Sequence, residues 1–324
     1  MVYLSFLVSA VIVVVAAVYL NTFGDVISRK SSLSGAVVGT FLIAGATSLP
    51  ELTTSLTAVY IDNTDIAVGN MLGSNVFNLL IIAVMDIFYR RRKLYHHVDV
   101  RENLSTAIVG LLFAGIIVLA LLIPGSYTVF NIGVEMIVIV LLYIMYVRFT
   151  SSQSGEKEVE QEEDVLEKDY SKRTAIIGFI IAALVVFIAG SVLSISGDQL
   201  AKISGLNASF VGNFLIAAAT SLPELVAVMA AIKMFNYSIA LGSILGSNLF
   251  NLQILAITDA LYREDAILKD VDVTNSYTAI LGMVMTLFVI YNLLRKKEID
   301  HVWRYALPSI IVTAMYFVVS FLMF

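Results

Sequence analysis

The pentapeptide Thr-Ser-Leu-Pro-Glu occurs twice, at Thr47–Glu51 and Thr220–Glu224, each time in the middle of a long apolar run. The two copies are 173 positions apart, and the same offset holds over a much larger unit. Gly39–Leu52 reads GTFLIAGATSLPEL and Gly212–Leu225 reads GNFLIAAATSLPEL, with 12 of 14 positions identical. Ile66–Ile81 and Ile239–Ile254 share 11 of 16 positions, among them a common Leu-Gly-Ser-Asn segment. Chance similarity between hydrophobic helices exchanges Leu for Ile; it does not reproduce a proline and a glutamate in register. The chain contains a duplicated unit.

The runs that carry the unit are membrane-like. Apolar residues make up 59% of the chain and charged residues 14%, against roughly 45–50% and about 25% in soluble domains. Val2–Leu20, Thr174–Leu193 and Tyr305–Phe324 match the about 20 residues needed to cross a bilayer. The first run lacks the basic start and small-residue cleavage site of a signal peptide and reads as a retained helix. No cysteine is present, which excludes thiol chemistry and cysteine metal ligands.

Polar and turn residues divide the chain into ten expected spans. They lie near 2–20, 33–60, 65–89, 104–123, 127–147, 174–194, 206–234, 238–262, 275–294 and 303–323. The predicted fold is therefore an all-α membrane protein of ten transmembrane helices in two five-helix repeats. The first repeat is 1–149 and the second 174–324, joined by an acidic linker at 150–173. Five is odd, so the copies should enter the membrane from opposite sides. Basic residues agree: 17 of 20 fall on the linker side, the excess that marks the cytoplasmic face. The expected location is the cell membrane, with a cytoplasmic linker and both termini outside. Inverted repeats of this kind mark secondary transporters whose site lies where the halves meet.

Within each half the polar residues form a pattern. A carboxylate at mid-span costs at least ~2.5 kcal/mol on insertion scales, so Glu51 and Glu224 are expected to face a cavity and bind something. Pro50 and Pro223 remove a helical hydrogen bond and crowd the carbonyls of Ala46 and Ala219. Freed carbonyls at membrane depth are tolerated only where they line a cavity or are buried in protein. Thr47 and Ser48 precede Glu51 by four and three positions and should share its helical face. In the next span Asn70, Ser74 and Asn78 form one stripe, matched by Ser243, Ser247 and Asn251. Carboxylates, carbonyls and hydroxyls suit a hard cation such as calcium, which takes 6–8 oxygen ligands; without His or Cys, a soft metal is not expected. The bland reading of the small and polar residues is helix packing, but packing gives no reason to bury a carboxylate twice.

In these residues the sequence resembles the cation/calcium exchanger superfamily, nearest its sodium/calcium exchanger branch of prokaryotic type. The resemblance covers almost the whole chain. It implies a secondary active antiporter exchanging Na+ for Ca2+ by alternating access, with calcium ligands at Glu51 and Glu224. It also implies hydroxyl and carbonyl ligands at Thr47, Ser48, Ala44 and Ser74, their counterparts Thr220, Ser221, Ala217 and Ser247, and a central pair at Asn78 and Asn251. Ala46 and Ala219 stand where the family usually has glycine, and Gly69-Asn70 becomes Gly242-Ser243. Asn251 replaces the aspartate of potassium-dependent relatives, which argues against potassium cotransport.

Other exchange chemistries, Ca2+/H+ or transport of Mn2+ or Mg2+, are the alternatives within this class. A cation channel is a different class, but filters usually come from rings in an oligomer. An enzyme is not expected, because the chain lacks His-Glu-x-x-His and has only three histidines. No cofactor is expected beyond the transported Na+ and Ca2+, and the expected partners are those ions and membrane lipid. No nucleic-acid partner is expected, and a monomer should suffice. Glu135 has Pro308 as its counterpart and lacks the symmetry of the site, whereas Asp86 and Asp259 are equivalent near span exits. Asp25 and Asp198 read as helix-end or loop residues, His96 and His97 as interfacial, and Glu156–Asp169 as a solvated linker.

Overall fold

The computed structural model describes residues 1–30, 47–123, 127–153, 170–295 and 301–324. Much of the second expected span, Ala44, Ala46 and the acidic stretch 154–169 lie outside the described residues. The helices are α1 (Val2–Arg29), α2 (Leu49–Tyr60), α3 (Thr64–Phe88), α4 (Val100–Leu122), α5 (Val134–Gln153) and α6 (Lys172–Ser204). Then come α7 (Ala208–Thr220) and α8 (Leu222–Lys233), which meet at a 44° bend. α9 (Tyr237–Tyr262), α10 (Thr274–Leu294) and α11 (Val302–Met323) complete the chain. Among the described residues seven helices are long and apolar enough to cross a membrane, or eight if the bent pair is one span. The protein is a helical membrane protein.

The duplication survives in three dimensions. α2 and α8 begin at Leu49 and Leu222, and the short turns Leu94–His96 and Ile267–Lys269 keep the same offset. α3 and α9 are central, with 72% and 67% of their apolar windows buried, against 22–28% for α1, α4 and α6. The peripheral helices therefore carry the lipid-facing surface.

Contacts at the helix ends fix the directions. At the start of α3, Thr64 Oγ1 donates to the Asp270 carbonyl (2.6 Å) in the segment after α9. Asn63 Nδ2 donates to Asp198 near the end of α6 (2.9 Å). At the other end of α3, Tyr305 and Ser309 of α11 each donate to Asp86 at 2.6 Å. There the start of α9 also arrives: Ser238 Oγ accepts from Asp99 N (2.6 Å), and Arg92 lies 4.9 Å from the centre of the Phe235 ring. α3 and α9, equivalent in sequence, thus run in opposite directions.

Three sequence expectations need correction. The spans expected at 2–20 and 174–194 are parts of helices of 28 and 33 residues, near 42 and 50 Å at 1.5 Å per residue. They pass the hydrocarbon slab of about 30 Å, and Asp25 and Asp198 lie near their C-terminal ends rather than in loops. α1 and α6 pack through Ala16, Ala17, Leu20, Ala182 and Val186, where the three alanines allow close approach. The span expected at 127–147 starts later, at Val134. Thr128–Val129 and Ile132–Gly133 pair as a hairpin first, because Phe130 and Asn131 both take positive φ, 56° and 64°, as a tight two-residue turn requires. The third correction, a break in the span expected at 206–234, shapes the site.

α7 approaches α3 closely. A Cβ at Gly73 would overlap the backbone of Asn213, and one at Gly212 would press on Ile66. Val211–Ile216 is wound as a wider π-helix at this contact. Gly73→Ala is expected to destabilise the protein by roughly 1–3 kcal/mol through overpacking. Gly115→Ala, where a Cβ meets nothing within 4 Å, should be neutral. Thermal unfolding in detergent compares the two.

Candidate functional site

Both Thr-Ser-Leu-Pro-Glu copies leave helical geometry at serine. Ser48 has φ −97° and ψ 8°, and Ser221 has φ −92° and ψ 4°, values outside the helical well. A new helix starts at the next residue, with proline in its first turn, where a missing N–H is harmless. Glu51 and Glu224 occupy the first turns of α2 and α8, where the positive end of the helix dipole favours an anion. Thr47, Ser48 and Glu51 therefore do not form one face of a continuous helix, as their spacing predicts. The break turns the hydroxyls of the second copy toward the other half.

Ser221 Oγ donates to Glu51 Oε1 (3.4 Å). Thr220 Oγ1 donates to Asn70 Oδ1 (3.2 Å) and lies 3.4 Å from Ser74 Oγ. Asn70 Nδ2 in turn donates to Thr54 Oγ1 (2.6 Å), Ser55 Oγ (3.1 Å) and the Glu51 carbonyl (3.2 Å). Glu51, Ser48, Asn70, Ser74, Asn78, Thr220, Ser221, Glu224 and Asn251 are all at most 2% exposed. Ser247 is 9% exposed, and Thr47 is half-buried. The Ala217 carbonyl is buried but already accepts from Ser221 N and Thr220 Oγ1. Ala44 lies outside the described residues.

What the site leaves unpaired is informative. Among the described residues, Ser48 Oγ, Glu51 Oε2, Asn78 Oδ1, Glu224 Oε2 and Asn251 Oδ1 are buried without a hydrogen-bond partner. Most buried polar atoms are paired, and an unpaired one costs about 1–3 kcal/mol. All five are oxygens, two of them carboxylate oxygens from different halves. A hard cation is the ligand that answers such a set. Among the described residues no three His, Cys, Asp or Glu side chains converge as metal ligands.

Beside the site the two halves are stitched by a reciprocal amide quartet. Asn75 Nδ2 donates to the Asn248 carbonyl (3.2 Å) and Asn248 Nδ2 to the Asn75 carbonyl (3.1 Å). Asn78 Nδ2 donates to Asn248 Oδ1, and Asn251 Nδ2 to Asn75 Oδ1, both at 3.0 Å. Equivalent residues exchanging equivalent bonds is the mark of a local two-fold. These bonds also aim the Asn78 and Asn251 carbonyl oxygens away from their donors. The four-residue stripe that selects Asn70, Ser74 and Asn78 passes over Asn75 and Asn248. Their signal was the doubled Gly-Ser-Asn segment itself.

The family model for sodium/calcium exchanger proteins matches residues 1–151 and again 174–324. The chain belongs to this family. The inner membrane protein YrbG of Escherichia coli is 27% identical over 253 residues, 77% of this chain and 76% of that one. An uncharacterised membrane protein of Methanocaldococcus jannaschii, MJ0091, is 26% identical over 268 residues, 82% of each chain. In fold the chain is similar to an H+/Ca2+ exchanger, CAX, with TM-score 0.69, 17% identity and 99% and 87% coverage. It is also similar to the sodium-calcium exchanger NCX_Mj, with TM-score 0.58, 22% identity and 98% coverage of both chains.

Asn75→Ala or Asn248→Ala alone leaves buried amide groups unpaired and is expected to cost about 1–3 kcal/mol. The double variant should cost clearly less than the sum of the two, because the groups act as one network. Unfolding free energies of the four proteins in the cycle test this.

Proposed function

We propose that the protein is a secondary active antiporter that exchanges Na+ for Ca2+ by alternating access. The observation that carries this reading is the pair Glu51 and Glu224, one from each half, buried beside oxygens that no protein donor satisfies. Glu51, Glu224, Ser48, Ser74, Ser221, Thr220, Asn78 and Asn251 supply the oxygen set. Thr47, Ser247, Ala44 and Ala217 complete it by the family's pattern. Two carboxylates balance one divalent ion; three Na+ in the same cavity leave an excess positive charge. Such an exchange moves charge, and each elementary charge is worth ~2.3 kcal/mol per 100 mV. Asn251, in place of a third carboxylate, speaks for sodium without potassium.

The architecture we infer is ten spans in two inverted five-helix repeats, 1–149 and 174–324, joined by the linker. The opposite directions of α3 and α9 support the inversion. The cross-loop contacts support the topology drawn from the basic residues. Lys30 meets Tyr170, Asp99 meets Ser238 and Arg90 meets Trp303, all segments expected inside. Asn63 meets Asp198, both expected outside, and Asn131, in the hairpin before α5, meets Arg263, also expected outside. Both termini are then outside, and a single chain holds both halves of the site.

On the outer face Asp65 Oδ1 accepts from Ser209 Oγ (3.1 Å), Asn275 Nδ2 (2.8 Å) and Asp272 N (2.7 Å). Asn213 Nδ2 joins this cluster by donating to Asn275 Oδ1 (2.8 Å). The network holds α7 against α3 and α10, above Thr220 and Glu51, and we read it as the closure of the outer path. Asp65 and Asn213 have Ser238 and Thr40 as counterparts, so the same side chains do not recur in the other half.

Proteoliposomes with imposed sodium, proton or potassium gradients decide the coupling ion. Calcium uptake is expected only with sodium inside; uptake driven by protons alone would replace sodium in this reading, and gradient-independent leak would favour a channel. Glu51→Gln or Glu224→Gln should abolish uptake while the protein stays folded. Asp65→Ala should speed amide exchange in 208–216 by about tenfold or more, from loss of charged hydrogen bonds. Peptides from α8 should be unaffected.

A further inference from the structure

At the end of α3 the chain turns through Tyr89–Lys93, and Phe88, Tyr89, Arg90, Arg91 and Arg92 line a hollow of about 290 Å³. The positive-inside rule explains why cations lie on this face; it does not require them to be ordered. Here they are. The Arg90 guanidinium lies 4.6 Å from the centre of the Trp303 ring, and its Nη1 donates to the Ile87 carbonyl (3.0 Å). Arg92 lies between Tyr89 (5.5 Å) and Phe235 (4.9 Å). Lys93 takes φ 51°, which turns the chain sharply after the three arginines.

Among the described residues no ion pair joins these cations to a carboxylate. The ion pairs Lys202–Asp198 and Lys269–Asp265 lie at the opposite ends of the helices. Nearby Asp99 uses Oδ1 to accept from Arg101 N (2.9 Å). Beside the hollow, Phe88 and Trp303 are 72% and 56% exposed, at the depth where aromatic side chains meet lipid headgroups. Guanidinium groups chelate phosphate oxygens in pairs, and basic pockets at the membrane surface select anionic headgroups.

We propose that this hollow binds the phosphate headgroup of an anionic phospholipid, with the acyl chains running down past Phe88 and Trp303. The exposed aromatic rim favours a lipid over a free anion. The inference is independent of which ions are exchanged.

Native mass spectrometry of the purified full chain, titrated with phosphatidylglycerol or phosphatidylcholine, tests it. Wild-type protein is expected to retain phosphatidylglycerol and not phosphatidylcholine. Arg91→Gln with Arg92→Gln should weaken retention about thirtyfold, from the loss of two surface cations. Arg148→Gln, a basic residue of α5 outside the hollow, should retain the lipid as wild type does. Inorganic phosphate at millimolar concentration, about the level of a free metabolite, should not displace it. Retention of both lipids, equal retention by the double variant, equal loss in the Arg148 variant or displacement by phosphate would each overturn the proposal. If the double variant does not insert, Trp303→Ala keeps every charge and removes the ring that orders Arg90. It should also weaken retention, and unchanged retention overturns the proposal as well.

Discussion

Everything in this molecule is arranged around two carboxylates that have no business in hydrocarbon. Glu51 and Glu224 are buried from solvent in the first turns of two short helices. An uncompensated charge in a low-dielectric interior is expensive, and the protein offers only partial relief. A helix N-terminus supplies some positive potential, and Ser221 supplies one hydrogen bond to Glu51. Among the described residues no lysine or arginine forms an ion pair with either glutamate. An arginine there would satisfy the charge permanently and remove the reason for a cation to bind. Leaving the second oxygens of both glutamates unpaired keeps the site dependent on something that can leave.

The broken helix makes this arrangement possible. A continuous helix would present Thr220, Ser221 and Glu224 on one side, as neighbours within the same half. The break at Ser221 turns Thr220 toward Asn70 and Ser74, and Ser221 toward Glu51. The second half thus contributes hydroxyls to the cluster around Glu51, Asn70 and Ser74. The Asn75–Asn248 quartet fixes the central helices at the crossing point. The half-helices around it are then the elements free to differ between conformations. The same logic explains why α3 and α9 are the most buried helices while α1, α4 and α6 face lipid.

Much of this was legible in the sequence. The repeat, its offset, the buried glutamates and the stripe Asn70, Ser74 and Asn78 all follow from residues whose polarity contradicts their surroundings. What stayed hidden has a common cause. Periodicity assumes an unbroken helix, so it misdirected Thr47 and Ser48 and passed over Asn75 and Asn248, whose role depends on contact across the two-fold. The hairpin at Thr128–Gly133 was hidden because Phe130 and Asn131 take positive φ without the glycine that usually announces it. Helix ends beyond the apolar core of α1 and α6 are held by packing, which hydropathy does not see. Some tertiary contacts did leave a trace in the mismatches between the copies. Thr54, Ser55 and Asn70, which bond to one another, are replaced together by Ala227, Val228 and Ser243 in the second half. Differences that cluster in space record where the two halves have different work.

That asymmetry bears on how exchange is enforced. Two conformations related by a perfect two-fold would be equal in energy, and any imbalance must come from residues that break the symmetry. Asn70 with Thr54 and Ser55, and Asp65 with Ser209 and Asn275, are such residues, and both groups stabilise contacts of α3 in the conformation seen here. A transporter can tolerate a bias of a few kcal/mol, because a ligand shifts the balance by its difference in affinity between the two states. It cannot tolerate free passage of the empty carrier, which would uncouple the ions. The unpaired glutamates oppose that passage: enclosing two bare carboxylates away from water on both sides is far costlier than enclosing them around a cation. In the proposed exchange, the feature that would draw a cation to the site would also oppose its closing with both carboxylates charged and empty.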